Sequence, residues 1–155
     1  MKIFYSNGNY DSGCTKPSVF LAGPTLRGED QDKYPDWRIN AVQHFNRAGF
    51  DGALYVPSPM RGDHAQQIDW EVFHLENATT ILFWIPRRLD ILPGFTTNIE
   101  FGEWMRSGKI VLGYPTDAKK MIYLIHRAKT YGIPLSNTLE GTVRNAIELT
   151  KEKLK

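Results

Sequence analysis

Two glutamates carry the chemical promise of this chain. Glu100 lies fourteen residues beyond Pro86, the end of the apolar run Ile81-Leu82-Phe83-Trp84-Ile85-Pro86, inside the segment Thr96-Thr97-Asn98-Ile99-Glu100-Phe101-Gly102. A strand-length apolar run, a Pro/Gly loop and a helix start place this carboxylate beyond the carboxyl end of a sheet strand, where open α/β proteins bind ligands. Thr97-x-x-Glu100 equally fits a capping box, in which two side chains satisfy backbone donors at a helix start. The roles can coexist, because a carboxylate in the first helical turn feels the positive end of the helix dipole, which favours the ionised form that a nucleophile needs. Glu71, preceded by Asp69 and Trp70, is the second candidate. With Ile68, Val72 and Leu75 facing the core, Glu71 falls at the edge of the apolar stripe and can point towards the strand ends. A solvated surface glutamate is the competing reading.

The elements that position these groups follow from hydrophobic periodicity. Strand-like segments are Ser18 to Ala22, Ala53 to Val56, Thr80 to Ile85, Ile110 to Leu112 and a short one near Ile133. Between them, Pro35 to Ala48 repeats Trp37, Ala41, Phe45 and Ala48 at helical spacing, and Gln66 to Asn77 repeats Ile68, Val72 and Leu75. Further helices are expected over Thr97 to Ser107, Asp117 to Tyr131 and Asn137 to about Lys151, the last opened by Asn137-x-x-Glu140. This alternation predicts a doubly wound α/β fold: a mostly parallel, five-stranded sheet with helices on both faces. Lys2 to Tyr5 is a candidate edge strand in an otherwise ambiguous stretch of residues 1–17.

The 155 residues suit one domain with a core that needs no disulfide or metal. The single Cys14, and the lack of a signal-like segment or a long apolar run, point to a soluble protein of the cytoplasm. A net charge of +2 gives no basis for nucleic-acid binding, and no membrane contact is expected. His44, His64, His74 and His126 lack the spacing and companion ligands of a zinc site, so no metal and no cofactor are expected.

Ligand contacts should gather in the loops after the strands. In Ala22-Gly23-Pro24-Thr25-Leu26-Arg27-Gly28, Gly23 permits close approach of the backbone and Arg27 offers a fork for an anion or hydroxyls. Neither a dinucleotide glycine fingerprint nor a P-loop is present. The loop Pro57-Ser58-Pro59-Met60-Arg61-Gly62-Asp63-His64 is long enough to cover a pocket, which makes Met60 a candidate contact. Trp84 near a strand end could stack on a nucleobase, although most tryptophans pack in cores. Glu103 reads as a structural residue or a neighbour of Glu100.

Taken in order, Phe20-Leu21-Ala22-Gly23-Pro24-Thr25, Asp36-Trp37-Arg38, Trp70-Glu71 with Leu75 and Ala78, Phe83-Trp84-Ile85-Pro86 and Thr96-Thr97-x-x-Glu100-Phe101-Gly102 resemble the nucleoside 2-deoxyribosyltransferase family. The likeness is to its branch with Phe-Trp-Ile-Pro and Thr-Thr-x-x-Glu-Phe-Gly motifs and spans roughly residues 18 to 114. It implies that Glu100 attacks the anomeric carbon of a nucleoside, forming a glycosyl ester that a second nucleobase or water resolves with net retention. Glu71 matches the acidic residue that helps bind and protonate the base, and Gly23, Pro24 and Thr25 match a turn at the substrate pocket. Thr96 and Thr97 complete the motif around Glu100. Trp37 and Arg38 match motif residues of no assigned role.

Two departures stand out. Gly94 occupies the position where well-studied members carry a sugar-contacting Asp, and Thr79 follows Ala78 where an Asp is usual. A phosphate cradle of hydrolase relatives is reduced to Arg27, with Arg61, Arg87 and Arg88 as other sources of charge. The resemblance also implies a homo-oligomer acting on a small-molecule nucleoside or nucleotide and a free base. Transfer between bases is the leading reading, hydrolysis by the same route the second, and a non-catalytic nucleotide-binding module the third.

Overall fold

The computed structural model describes residues 1–6, 14–57 and 64–155. Its strands are β1 (Lys2–Tyr5), β2 (Ser18–Ala22), β3 (Ala53–Val56), β4 (Thr80–Trp84), β5 (Ile110–Gly113) and β6 (Leu135–Ser136). They form one sheet in the order β1-β3-β2-β4-β5-β6, and every neighbouring pair is parallel. The expected five strands are therefore six. Lys2–Tyr5 is an edge strand, registered from Lys2 on Ala53 to Tyr5 on Val56. The last strand falls two residues beyond Ile133, because Gly132 turns in the left-handed region at φ 64° and Ile133 N–H donates back to Ala128 at the end of a helix.

The helices are α1 (Asp30–Lys33), α2 (Trp37–Arg47), α3 (His64–Asn77), α4 (Phe95–Trp104), α5 (Ile122–Thr130) and α6 (Leu139–Glu152). Strands β2 to β5 are buried along their whole length, so both faces must be covered, and side-chain alternation divides them. Phe20, Tyr55, Phe83 and Leu112 pack under α3, α4 and α5 with Trp70, Phe101 and Leu124. Val19, Leu21, Leu54, Leu82, Trp84 and Val111 pack under α2 and α6 with Trp37, Phe45, Val143 and Ile147. Each large side chain so buried contributes about 1.5–3 kcal/mol by the hydrophobic effect. This is the doubly wound α/β arrangement. Among the described residues, no helix is long and apolar enough to cross a membrane.

Several helix details differ from expectation. On α3 the core stripe is Trp70, His74 and Leu75, whereas Ile68 and Val72 are 51% and 48% exposed. The His74 ring packs 4.1 Å from Trp70 and 4.3 Å from Tyr55, and Nδ1 shares a hydrogen bond with the Trp70 carbonyl. Two stacked rings one turn apart fill more of the interior than two branched aliphatics, and this sets the rotation of the helix. α5 starts at Ile122 instead of Asp117, since Lys120 adopts φ 55° and interrupts the helical path. Thr138, not Asn137, caps α6, its side chain accepting from Gly141 N–H at 3.1 Å. Asp36 caps α2 through Arg38 N–H at 3.0 Å.

Candidate active site

The strand order reverses at β2, whose neighbours are β3 on one side and β4 on the other, and a crevice opens beyond the carboxyl ends at that point. A cavity of about 720 Å³ occupies it, within the usual range for small-molecule sites. Its walls are the loop from Gly23 to Gly28, the stretch from Asp90 to Gly94 ahead of α4, the first turn of α4 at Phe95 and Thr96, and the inner edges of α2 and α3. Glu71 from α3 and Glu100 from α4 both line it.

The first loop is shaped from below. Trp37 Nε1–H donates to the Pro24 carbonyl at 3.1 Å; Arg38 Nε donates to Leu21 O at 3.2 Å and Nη2 to Gly23 O at 2.7 Å. Arg38 is 2% exposed, lies 4.6 Å from the Trp37 ring centre, and pairs with Asp36 at 3.4 Å. The motif Asp36-Trp37-Arg38 thus caps α2 and fastens the loop that borders the cavity. Only glycine fits at position 23, where a Cβ would come 2.2 Å from the Trp84 carbonyl oxygen and 2.7 Å from Trp37 Cζ2.

α4 opens with Gly94 in the left-handed region at φ 65°, and no side chain caps it. The capping-box expectation for Thr97 and Glu100 is therefore overturned: Thr97 sits inside the first turn, 1% exposed, and Glu100 a turn later is left with its carboxylate on the cavity. That position also takes Glu100 beyond the turn in which the helix dipole acts strongly. Its ionisation is governed instead by burial, then by the charge of Glu71, which together outweigh Arg38 and push its pKa up from 4.5 to about 7. Glu71 is raised in the same direction by burial, against the pull of a 2.8 Å hydrogen bond from Gln67 Nε2 and the charge of Arg38. Burial lowers the Arg38 pKa, opposed by Asp36, Glu71 and Glu100. Two carboxyls thus share one cavity with the buried Arg38 guanidinium, and burial together with the charge of Glu71 favours a proton on Glu100 up to near neutrality.

Gly23, Pro24, Thr25, Arg27 and Thr96 line the same cavity, with Arg27 exposed at its rim. Met60 lies outside the described residues, as do most of its loop and Arg61; Pro57 at the loop's start reaches the cavity wall. Trp84 is a correction. Its ring faces α6 in the core on the far side of the sheet, because alternation along β4 sends Phe83 to one face and Trp84 to the other, so it is not placed to stack on a ligand in the cavity. Arg87 lines a different cavity, and Arg88 is paired with Asp90 at 2.8 Å on the surface. Gly94 packs against Pro24. Arg38 and Gln67 were not anticipated at the site; for Gln67 the signal was its position four residues before Glu71, the spacing at which helical side chains meet. Among the described residues, no group of three His, Cys, Asp or Glu is arranged to hold a metal ion.

A doubly wound parallel sheet with a two-carboxylate crevice at its switch point defines an α/β protein built to act on a small molecule. The chain belongs to the nucleoside 2-deoxyribosyltransferase-like family, whose model matches residues 16–118. The matched span contains the Gly23 loop, Glu71 and Glu100; the family is glycosyltransferase-like, and its members act on small-molecule nucleosides and nucleobases. No curated protein matches the chain.

Proposed function

We propose that the protein breaks the N-glycosidic bond of a 2′-deoxynucleoside and passes the sugar to a second nucleobase, with Glu100 as nucleophile and Glu71 as its proton-handling partner. The observation that carries this reading is the placement of both carboxyls in one cavity, with Glu100 titrating near 7 and Glu71 raised beside it. Ionised Glu100 attacks C1′; the C1′–N bond breaks, its electron pair leaves with the base, and the base takes a proton from Glu71. The resulting ester is opened at C1′ by a nitrogen of the incoming base, which gives a proton back to Glu71 and releases the Glu100 carboxylate. Two inversions give net retention, the logic of retaining glycosidases.

Burial and the charge of Glu71 hold Glu100 near 7, so one proton between the two carboxyls rests on Glu100, and attack and departure proceed together from the form in which that proton has moved to Glu71. Arg38 stabilises whichever carboxylate is ionised. With Gly94 at the position of the family's sugar-contacting Asp, sugar recognition falls to Thr96, Thr25 and backbone groups of the Gly23 loop. The partners are small molecules and further copies of the same chain, in the cytoplasm. Hydrolysis follows the same route with water as acceptor.

Incubation of the protein with 2′-deoxynucleosides and with their 5′-monophosphates, each with and without adenine or cytosine, tests the proposal by chromatography. New nucleosides appearing only with acceptor base, and absent with Glu100→Ala, are the expected result. Free base without exchange would assign hydrolysis instead, and ligand binding without any turnover would refute catalysis.

A further inference from the structure

A second cavity, of about 300 Å³, lies between α4 and α5, on the side of α4 away from Glu100. Phe101, Met105 and Leu124 give its lining an apolar part, and Arg87, Lys120, Tyr123 and Asn98 a polar one. Arg87 is 4% exposed, yet among the described residues no carboxylate pairs with it. Its Nη1 donates to Lys120 O at 3.2 Å and its Nη2 to Asn98 Oδ1, while its Nε–H is buried with no hydrogen-bond partner. Burial lowers its pKa, with no neighbouring charge in opposition. A buried cation without a counter-charge is costly, and a buried donor without an acceptor adds to that cost. Lys120, beside it, is held at φ 55°, a backbone conformation that side chains rarely adopt, in a turn tied down by Arg87 through both Lys119 N–H and Lys120 O. Strain at a non-glycine residue next to an uncompensated charge is a pattern found at binding sites.

We propose that this cavity binds a small oxyanion, a phosphate or carboxylate group carried on an apolar body. Arg87 and Lys120 supply the charge, Tyr123 and Asn98 supply polar contacts, and Phe101, Met105 and Leu124 receive the apolar part. The site is separate from the crevice and stands whether or not the chain is a transferase. Asn98 here and Glu100 in the crevice sit two residues apart on α4, so the helix is common to both cavities.

Calorimetric titration and thermal melting with phenyl phosphate, benzoate and inorganic phosphate test it on the whole protein. The expected result is saturable binding, with phenyl phosphate tighter than inorganic phosphate and a melting temperature raised by about 5–10 °C at a hundred times Kd. The ratio of phenyl phosphate to benzoate affinity tells a phosphoryl ligand from a carboxylate one. Lys120→Gly should weaken binding at least about tenfold, while the unliganded variant melts no lower than the wild type, since glycine accepts the backbone conformation. Arg87→Met should abolish binding, and if that variant does not fold, Lys120→Gly carries the test. No saturable binding of any probe, or an affinity unchanged in Lys120→Gly, would overturn the proposal. A probe bound in the crevice would give that second result.

Discussion

Replacing Glu100 by Gln keeps the side chain's shape and deletes its charge, and the structure gives the stability consequence a sign and a size. Well below pH 4.5 the carboxyl is protonated in the folded and the unfolded chain, and the amide is a close substitute. As pH rises the unfolded chain ionises at its ordinary value, whereas the folded chain holds its proton until about 7. A raised folded pKa stabilises the folded form at low pH, and that contribution is lost as pH rises through the folded value. The displacement from 4.5 to about 7 corresponds to about 3 kcal/mol at 1.36 kcal/mol per pH unit, reduced to about 2–3 kcal/mol because the crevice admits water. Glu100→Gln should therefore match the wild type near pH 4 and exceed it by about 2–3 kcal/mol at pH 8, or about 5–10 °C in melting temperature. Urea unfolding of both proteins at the two pH values is the assay. A difference that does not change with pH, or a variant less stable than the wild type at pH 8, would refute the account of Glu100 as a buried carboxyl held beside Glu71.

Glu71→Gln removes the like charge but not the burial, which is the larger cause, so the acid limb of kcat/KM should move below pH 7 by no more than about one unit while kcat falls about 10²- to 10⁴-fold; an unmoved limb in the pH–rate profile would separate the two carboxyls. Gly23→Ala drives a Cβ to within 2.2 Å of the Trp84 carbonyl, so a loss of at least about 3 kcal/mol is expected in denaturant unfolding, and a near-neutral result would contradict the packing at the loop. Arg38→Met leaves the Leu21 and Gly23 carbonyls and the Asp36 carboxylate without their guanidinium, and should cost about 3–5 kcal/mol by the same measurement.

The central strands were legible because they are buried on both faces and read as continuous apolar runs; β2 and β3 fall where periodicity puts them, and β4 and β5 within a residue. Period-two alternation along β4 was available in principle to send Trp84 away from Phe83, but a fully buried strand shows no polar face from which to read the sides. The start of α4 was misread for a different reason. Thr97-x-x-Glu100 carries the composition of a capping box, while the true start depends on Gly94 in a left-handed conformation, a backbone property that letters do not display. Glu71 was reached from a premise that failed: Ile68 and Val72 lie at the surface, and the stripe that buries α3 runs through Trp70 and His74. Arg38 illustrates the limit most clearly. An arginine inside a core is stable only because Leu21 O, Gly23 O and Asp36 meet it there, and those partners are assembled by the fold.

The family match ends at residues 16 and 118, short of β1 on one side and of β6, α5 and α6 on the other. β1 shields the outer backbone of β3, a strand whose side chains are wholly buried, and α6 roofs Leu82, Trp84 and Val111. A fragment trimmed to the matched span would bare an apolar strand edge and an apolar sheet face at once, the two surfaces from which sheets recruit other chains into aggregates. The segments beyond the match thus act as a solubility shield for the part that carries both glutamates.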